Sequence, residues 1–208
     1  MRLSLVSLFL VKAVAGFVAL LVVWYPLAKW AVVPVGLLAQ GTVSAFFPAW
    51  AEGVEQNGVV LTLLTTLPVP GMAPGPEGQI AVFSPEVSFQ KYGYGLPLFI
   101  ALLLASGAKR FLVKAIVGGL LLVPCQVWGV CFEWLKQLAI EAGAAPFSPF
   151  GREIIAFGYQ FGYLILPSVA PILLWAAMDR RFLAAFVMEA TLEGVPAPES
   201  DPAKSKIS

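Results

Sequence analysis

The chain has 208 residues, 59% of them hydrophobic and 12% charged, and its mean hydropathy is +0.85. That excludes a water-soluble globular domain, which runs about 45–50% apolar and about 25% charged, and thirteen Lys and Arg against twelve Asp and Glu leave no basic surplus for nucleic acid. His is absent, which removes Ser-His-Asp and Cys-His nucleophile arrangements and His-containing metal sites.

The class that remains is an all-α polytopic membrane protein whose first partner is the lipid bilayer. A hydrocarbon core of about 30 Å takes about 20 helical residues, and three apolar runs reach that length: 13–38, 111–135 and 154–177. A fourth, 94–108, is shorter, but Pro97 suits a first helical turn, Tyr92 and Tyr94 suit the headgroup level, and Lys109 and Arg110 can snorkel outward. Four spans with both termini in the cytoplasm place Arg2, Lys12, Lys109, Arg110, Lys114, Arg180, Arg181, Lys204 and Lys206 inside. Only Lys29, Lys91, Lys136 and Arg152 then lie outside, the asymmetry the positive-inside rule demands. A re-entrant hairpin at 94–108 is the competing arrangement.

The N-terminus also has the outline of a signal peptide, with Arg2, an apolar stretch and Ala13-Val14-Ala15. Lys12 interrupts that stretch and hydrophobicity continues beyond it, which favours an uncleaved anchor. Pro26 and Pro34 are expected to kink this first run or divide it into a span and a short interfacial helix ending near Gly41. The segments are thus 1–47 (first helix and interfacial piece), 48–92 (extracytoplasmic), 93–188 (three-helix membrane portion) and 189–208 (disordered tail).

Within 48–92, Gly58 to Leu67 (GVVLTLLTTL) reads as one strand and Gln79 to Phe83 as another, with a continuation at Val87 to Phe89 beyond Pro85. The Pro- and Gly-rich Pro68 to Gly78 lies between them. A small β-hairpin between helices 1 and 2 is predicted, packed on helix ends or on a partner protein, whose extended chain could add to its edge.

Polar residues inside spans are expensive and face a bundle interior. Gln126, Glu133 and Gln137 share one stripe, and Lys136 is three residues from Glu133. Arg152, Glu153, Tyr159, Gln160 and Tyr163 follow near the start of the next helix, which runs antiparallel, so a polar cluster near the outer leaflet is expected. Either Glu133 pairs with Lys136 or Arg152 and Gln126 bonds Gln160 to join helices, or the cluster contacts a partner helix or a substrate tail. Gly158 and Gly162 form a GxxxG that admits a close neighbour, in this chain or another. Cys125 and Cys131 are six apart on one helix and cannot bond to each other. No GxSxG, HExxH, Walker loop or CxxC occurs, and no metal or cofactor is implied.

The stretches KYGYGLPLFIALLLA (91–105), LLLVPCQVWGVCFEWLKQLA (120–139) and REIIAFGYQFGYLILPSVAPILLWAAMDRRFL (152–183), with WAEGVEQNG (50–58), resemble the exosortase H-associated membrane proteins of Gram-negative bacteria. The resemblance implies a role beside exosortase H, a membrane cysteine transpeptidase that recognises proteins ending in a sorting motif, a transmembrane helix and a basic cluster. Exosortases carry a Cys, Arg and His set, which a chain without His cannot supply. The expectation is therefore a non-enzymatic accessory protein of the inner membrane that binds exosortase H, its sorted substrates or a downstream envelope component. A small oligomeric transporter or flippase using Glu133, Arg152 and Gln160, and an intramembrane thiol enzyme using Cys125 or Cys131, are the alternatives from other classes.

Overall fold

The computed structural model describes residues 5–73 and 80–193. Helix α1 (Leu5–Phe46) is followed by strands β1 (Ala51–Asn57), β2 (Val60–Thr65) and β3 (Glu86–Ser88). The single turn α2 (Gln90–Gly93) leads into α3 (Gly95–Ala105), and α4 (Phe111–Lys136) extends through a π-helical turn to Glu141. Helix α5 (Pro149–Gln160) passes through a second π turn, Phe161–Ile165, into α6 (Leu166–Met178), and α7 (Arg180–Glu193) closes the described chain.

Three helices are long and apolar enough to cross a membrane: Val6–Phe46, Phe111–Glu141 and Pro149–Met178. The expected fourth span corresponds to α3, which has 11 residues and a length of about 16 Å, roughly half the hydrocarbon thickness. It is nonetheless central, packing on α1, α4 and α6, with Phe99 fully buried against Gly118 of α4.

Of the two outcomes expected for the first run, a kink or a division, helix α1 excludes the division. It runs unbroken through Pro26 and Pro34, with no division near Gly41 and a length of about 63 Å. In apolar surroundings no water competes for the backbone, so a helix keeps its remaining ladder around the missing proline N–H groups. Valine and alanine at 28, 32, 35, 39 and 43 make one fully buried stripe, the 3–4 spacing of a helix with a packed face.

The sheet on that stripe has three antiparallel strands in the order β1-β2-β3, one more than the expected hairpin. The missed strand is β1. Asn57 pairs with Val60 across Gly58-Val59, and Gly58 has φ +61, the left-handed first position that a tight two-residue hairpin turn requires of glycine. The β2 partner is Glu86–Ser88, paired with Val60 to Thr62. Of the strand predicted over Gln79 to Phe83, Val82 bridges to Pro68; Gln79 and residues 74–78 of the Pro-rich loop lie outside the described part.

Leu61, Leu63 and Thr65 point inward from β2, and the Leu61 side chain packs on Gly36 of α1. Side chains from the helices fasten the sheet. Trp134 Nε1 donates to the Leu61 carbonyl at 3.3 Å and Gln137 Nε2 to that of Glu86 at 2.9 Å, while Gln56 Nε2 of β1 donates to the Lys29 carbonyl at 3.1 Å. This core runs into Tyr92, Val127, Val130 and Leu138. A second apolar cluster at the other end of the bundle joins Phe9, Ala13, Phe99, Leu102, Leu122 and Trp175. At the C-terminal end α7 continues the helix to Glu193, where a disordered tail from 189 was expected; residues 194–208 lie outside the described part.

Candidate functional site

The polar cluster is centred on Glu133, whose position on α4 brings it beneath the turn that joins the sheet to α3. The residue is 4% exposed, and its carboxylate accepts a hydrogen bond from the Tyr92 hydroxyl. Lys91 Nζ lies 3.4 Å away and Lys136 Nζ 3.9 Å. Tyr92 comes this close because Gly129 has no side chain: a Cβ there would stand 2.2 Å from Tyr92 Cδ1. Burial first, then the hydrogen bond and charge of Glu133, push the Tyr92 phenol well above its ordinary range, so Tyr92 keeps its proton and is the donor.

An aromatic wall completes the site. Lys136 pairs with Glu141 at 3.0 Å and sits 4.0 Å from the centre of the Tyr159 ring, a separation at which a cation gains from the ring face. Tyr159 stacks on Tyr163 at 5.7 Å, and Tyr163 meets Tyr92 edge-on at 6.3 Å. Lys91, 47% exposed on its side chain, opens with Tyr94, Tyr163 and Leu164 onto a cleft of about 300 Å³. The arrangement offers a half-exposed ammonium backed by a buried carboxylate, suited to receiving a carboxylate or carbonyl group.

Of the residues singled out in the sequence, Glu133, Lys136, Tyr159 and Tyr163 are brought together. Arg152 and Glu153 are exposed on the first turn of α5, and neither forms an ion pair among the described residues, so of the two partners expected for Glu133 it takes Lys136 and not Arg152. Gln126 is buried at 7% exposure, yet the expected bond to Gln160 does not form, because Gln160 is exposed on the far side of its helix. Gln126 instead lines a void of about 10 Å³ with Tyr92, Cys125 and Pro167. Gly158 and Gly162 face α4 within the chain: a Cβ on Gly158 would strike the Phe132 ring, and one on Gly162 would lie 3.0 Å from Gly129 Cα. Trp128 Nε1 adds a bond to the Gly158 carbonyl at 3.0 Å.

The sequence reading missed Lys91 and Tyr92 as partners of Glu133. Both cysteines are free. No group of three or more His, Cys, Asp or Glu that could hold a metal lies together among the described residues.

Residues 3–182 match the family described as exosortase H-associated membrane protein. The chain belongs to that family. The resemblance first seen at 50–58, 91–105, 120–139 and 152–183 therefore reflects membership across most of the length of this membrane protein. Neither a search of curated proteins nor one of solved structures returned a match.

Proposed function

We propose that the chain is a non-enzymatic accessory protein of an exosortase H sorting system, a multi-pass protein of the inner membrane with both termini in the cytoplasm. It binds the transpeptidase, its sorted substrate tails or a downstream envelope component. Membership of the exosortase H-associated family over residues 3–182 carries this reading, and the lack of any His in the sequence supports a role without transpeptidase chemistry. The contact surface is the cleft at Lys91 together with the outer edge of β1, which ends in exposed Glu55, Gln56 and Asn57.

The transporter reading required several copies, and Gly158 and Gly162 were its only support for an oligomer. Both are occupied by α4 of the same chain, so that reading loses its footing.

The test is deletion of the gene in its host, followed by gel mobility and localisation of the proteins that bear the sorting tail. Accumulation of unprocessed protein, restored by the wild-type chain but not by Lys91→Gln present at the same level, supports the proposal. Normal processing and surface attachment without the gene would end it.

A further inference from the structure

A second cleft lies at the end of the bundle remote from the sheet, where the α3–α4 turn meets the α6–α7 junction. Its volume is about 560 Å³, and Ser106, Lys109, Arg110, Lys114, Asp179 and Arg180 supply its polar lining. Asp179 is the one acid among the lining residues, and its carboxylate is already engaged. One oxygen lies 3.3 Å from Lys114 Nζ, and the other accepts from Ser106 Oγ at 2.8 Å, which itself receives Trp175 Nε1 at 3.2 Å. Lys109, Arg110 and Arg180 have no carboxylate in ion-pair range among the described residues.

Two further features point the same way. Arg110 is the N-cap of α4, held in the left-handed region at φ 55, ψ 44, with no side chain capping the first amides, so the positive end of a 26-residue helix opens beside the three cations. The cleft also lies where two helices long and apolar enough to cross a membrane end, at Phe111 and at Met178, the level at which a span of that kind meets lipid headgroups. Just beyond it on α4, Leu112, Val113 and Ile116 are exposed at 71%, 59% and 64%, an apolar path for an acyl chain.

We infer that this cleft binds the phosphate of an anionic phospholipid, with the headgroup held by Lys109, Arg110 and Arg180 and the chains lying along α4. Basic pockets between helices at a membrane surface recognise such headgroups. A zwitterionic lipid brings its own cation into a pocket that already holds three with no carboxylate partner among the described residues, so phosphatidylglycerol is preferred over phosphatidylcholine. The inference is independent of the accessory role.

The test is native mass spectrometry of the full chain in detergent with equal phosphatidylglycerol and phosphatidylcholine, and separately with inorganic phosphate as competitor. Retention of phosphatidylglycerol is expected. Each Lys or Arg near a charged headgroup contributes about five-fold in affinity, so Lys109→Gln, Arg110→Asn and Arg180→Gln together weaken it on the order of a hundredfold. Asn is used at 110 because it tolerates the left-handed backbone. Lys29→Gln, at the other end of the bundle, leaves retention unchanged. Equal retention of the two lipids, or undiminished retention by the triple variant, overturns the inference. So does displacement by millimolar inorganic phosphate, which marks a soluble-anion site. If the triple variant does not fold, wild-type protein decides: release of phosphatidylglycerol by high salt is required, and salt-insensitive retention refutes it.

Discussion

Removing the Tyr92 hydroxyl with Tyr92→Phe isolates the hydrogen bond on which the site turns, because the ring and its packing against Gly129 remain. Three donors face the Glu133 carboxylate, and they are unequal. Lys91 is 47% exposed at 3.4 Å, and a pair of that kind contributes about 0–1 kcal/mol. Lys136 is 3.9 Å away and closer to Glu141. Tyr92 is buried and donates its hydroxyl proton directly to the carboxylate. Hydrogen bonds inside membrane bundles average about 0.6 kcal/mol, whereas bonds to a charged, buried acceptor reach about 1.5–3 kcal/mol. With Glu133 at 4% exposure the second figure applies, so Tyr92→Phe costs about 2 kcal/mol. Glu133→Gln preserves shape and an acceptor and costs about 1 kcal/mol. Because both changes act on one bond, the double variant is destabilised by at least about 1 kcal/mol less than the sum. Reversible unfolding of the four proteins in mixed micelles measures this cycle. A Tyr92→Phe cost below about 0.5 kcal/mol, or additivity in the double variant, refutes the assignment of Tyr92 as the principal donor.

Three further outcomes follow from the same geometry. Gly129→Ala puts a methyl 2.2 Å from the Tyr92 ring and costs about 1–3 kcal/mol by overpacking, read as lowered unfolding stability with altered near-ultraviolet circular dichroism. Ser148 caps α5 by accepting from Gly151 N at 3.1 Å, so Ser148→Ala costs about 1 kcal/mol; hydrogen exchange then shows faster opening confined to the first turn of α5. Lys91→Gln removes the charge at the mouth of the cleft at the cost of a half-exposed ion pair with Glu133, about 0–1 kcal/mol, and its effect is lost co-isolation with exosortase H or its substrates in crosslinked membranes at unchanged protein level.

Where hydrophobic periodicity ran without interruption, the fold was legible: the predicted 111–135 run is α4, which ends at Lys136. The first helix stays continuous through Pro26 and Pro34, where division was one of the two outcomes expected of proline, because in apolar surroundings no solvent takes up the freed carbonyl. The sheet was read one strand short because β1, AEGVEQN, is mostly polar and exposed, so its burial signal is weak; Gly58, at the start of the Gly58-Val59 turn, was the cue available. The site was half legible. The stripe from Gln126 through Glu133 correctly named the inward face of α4, but the rotation of α5 is set by Gly158 and Gly162, which must meet α4. At about 100° per residue that carries Tyr159 to the flank of the interface and Gln160 nearly opposite it. Arg152 lies seven residues before Tyr159, about 10 Å along the axis, and so falls beyond the level of Glu133. Tyr92 and Lys91 escaped notice because their link to Glu133 spans some forty positions, and no local spacing encodes it.

The fastening of the sheet to α4 also dictates an order of events during synthesis. The strands leave the ribosome before α4, yet the bonds that hold β2 and β3 come from Trp134 and Gln137. Until those residues are inserted, the strands have only α1 as a floor, and a small isolated hairpin is marginal on its own. The nascent sheet segment therefore passes through an interval of exposure to proteases and chaperones that closes once α4 is in place, and a chain stalled between Ser88 and Trp134 is expected to be cut there.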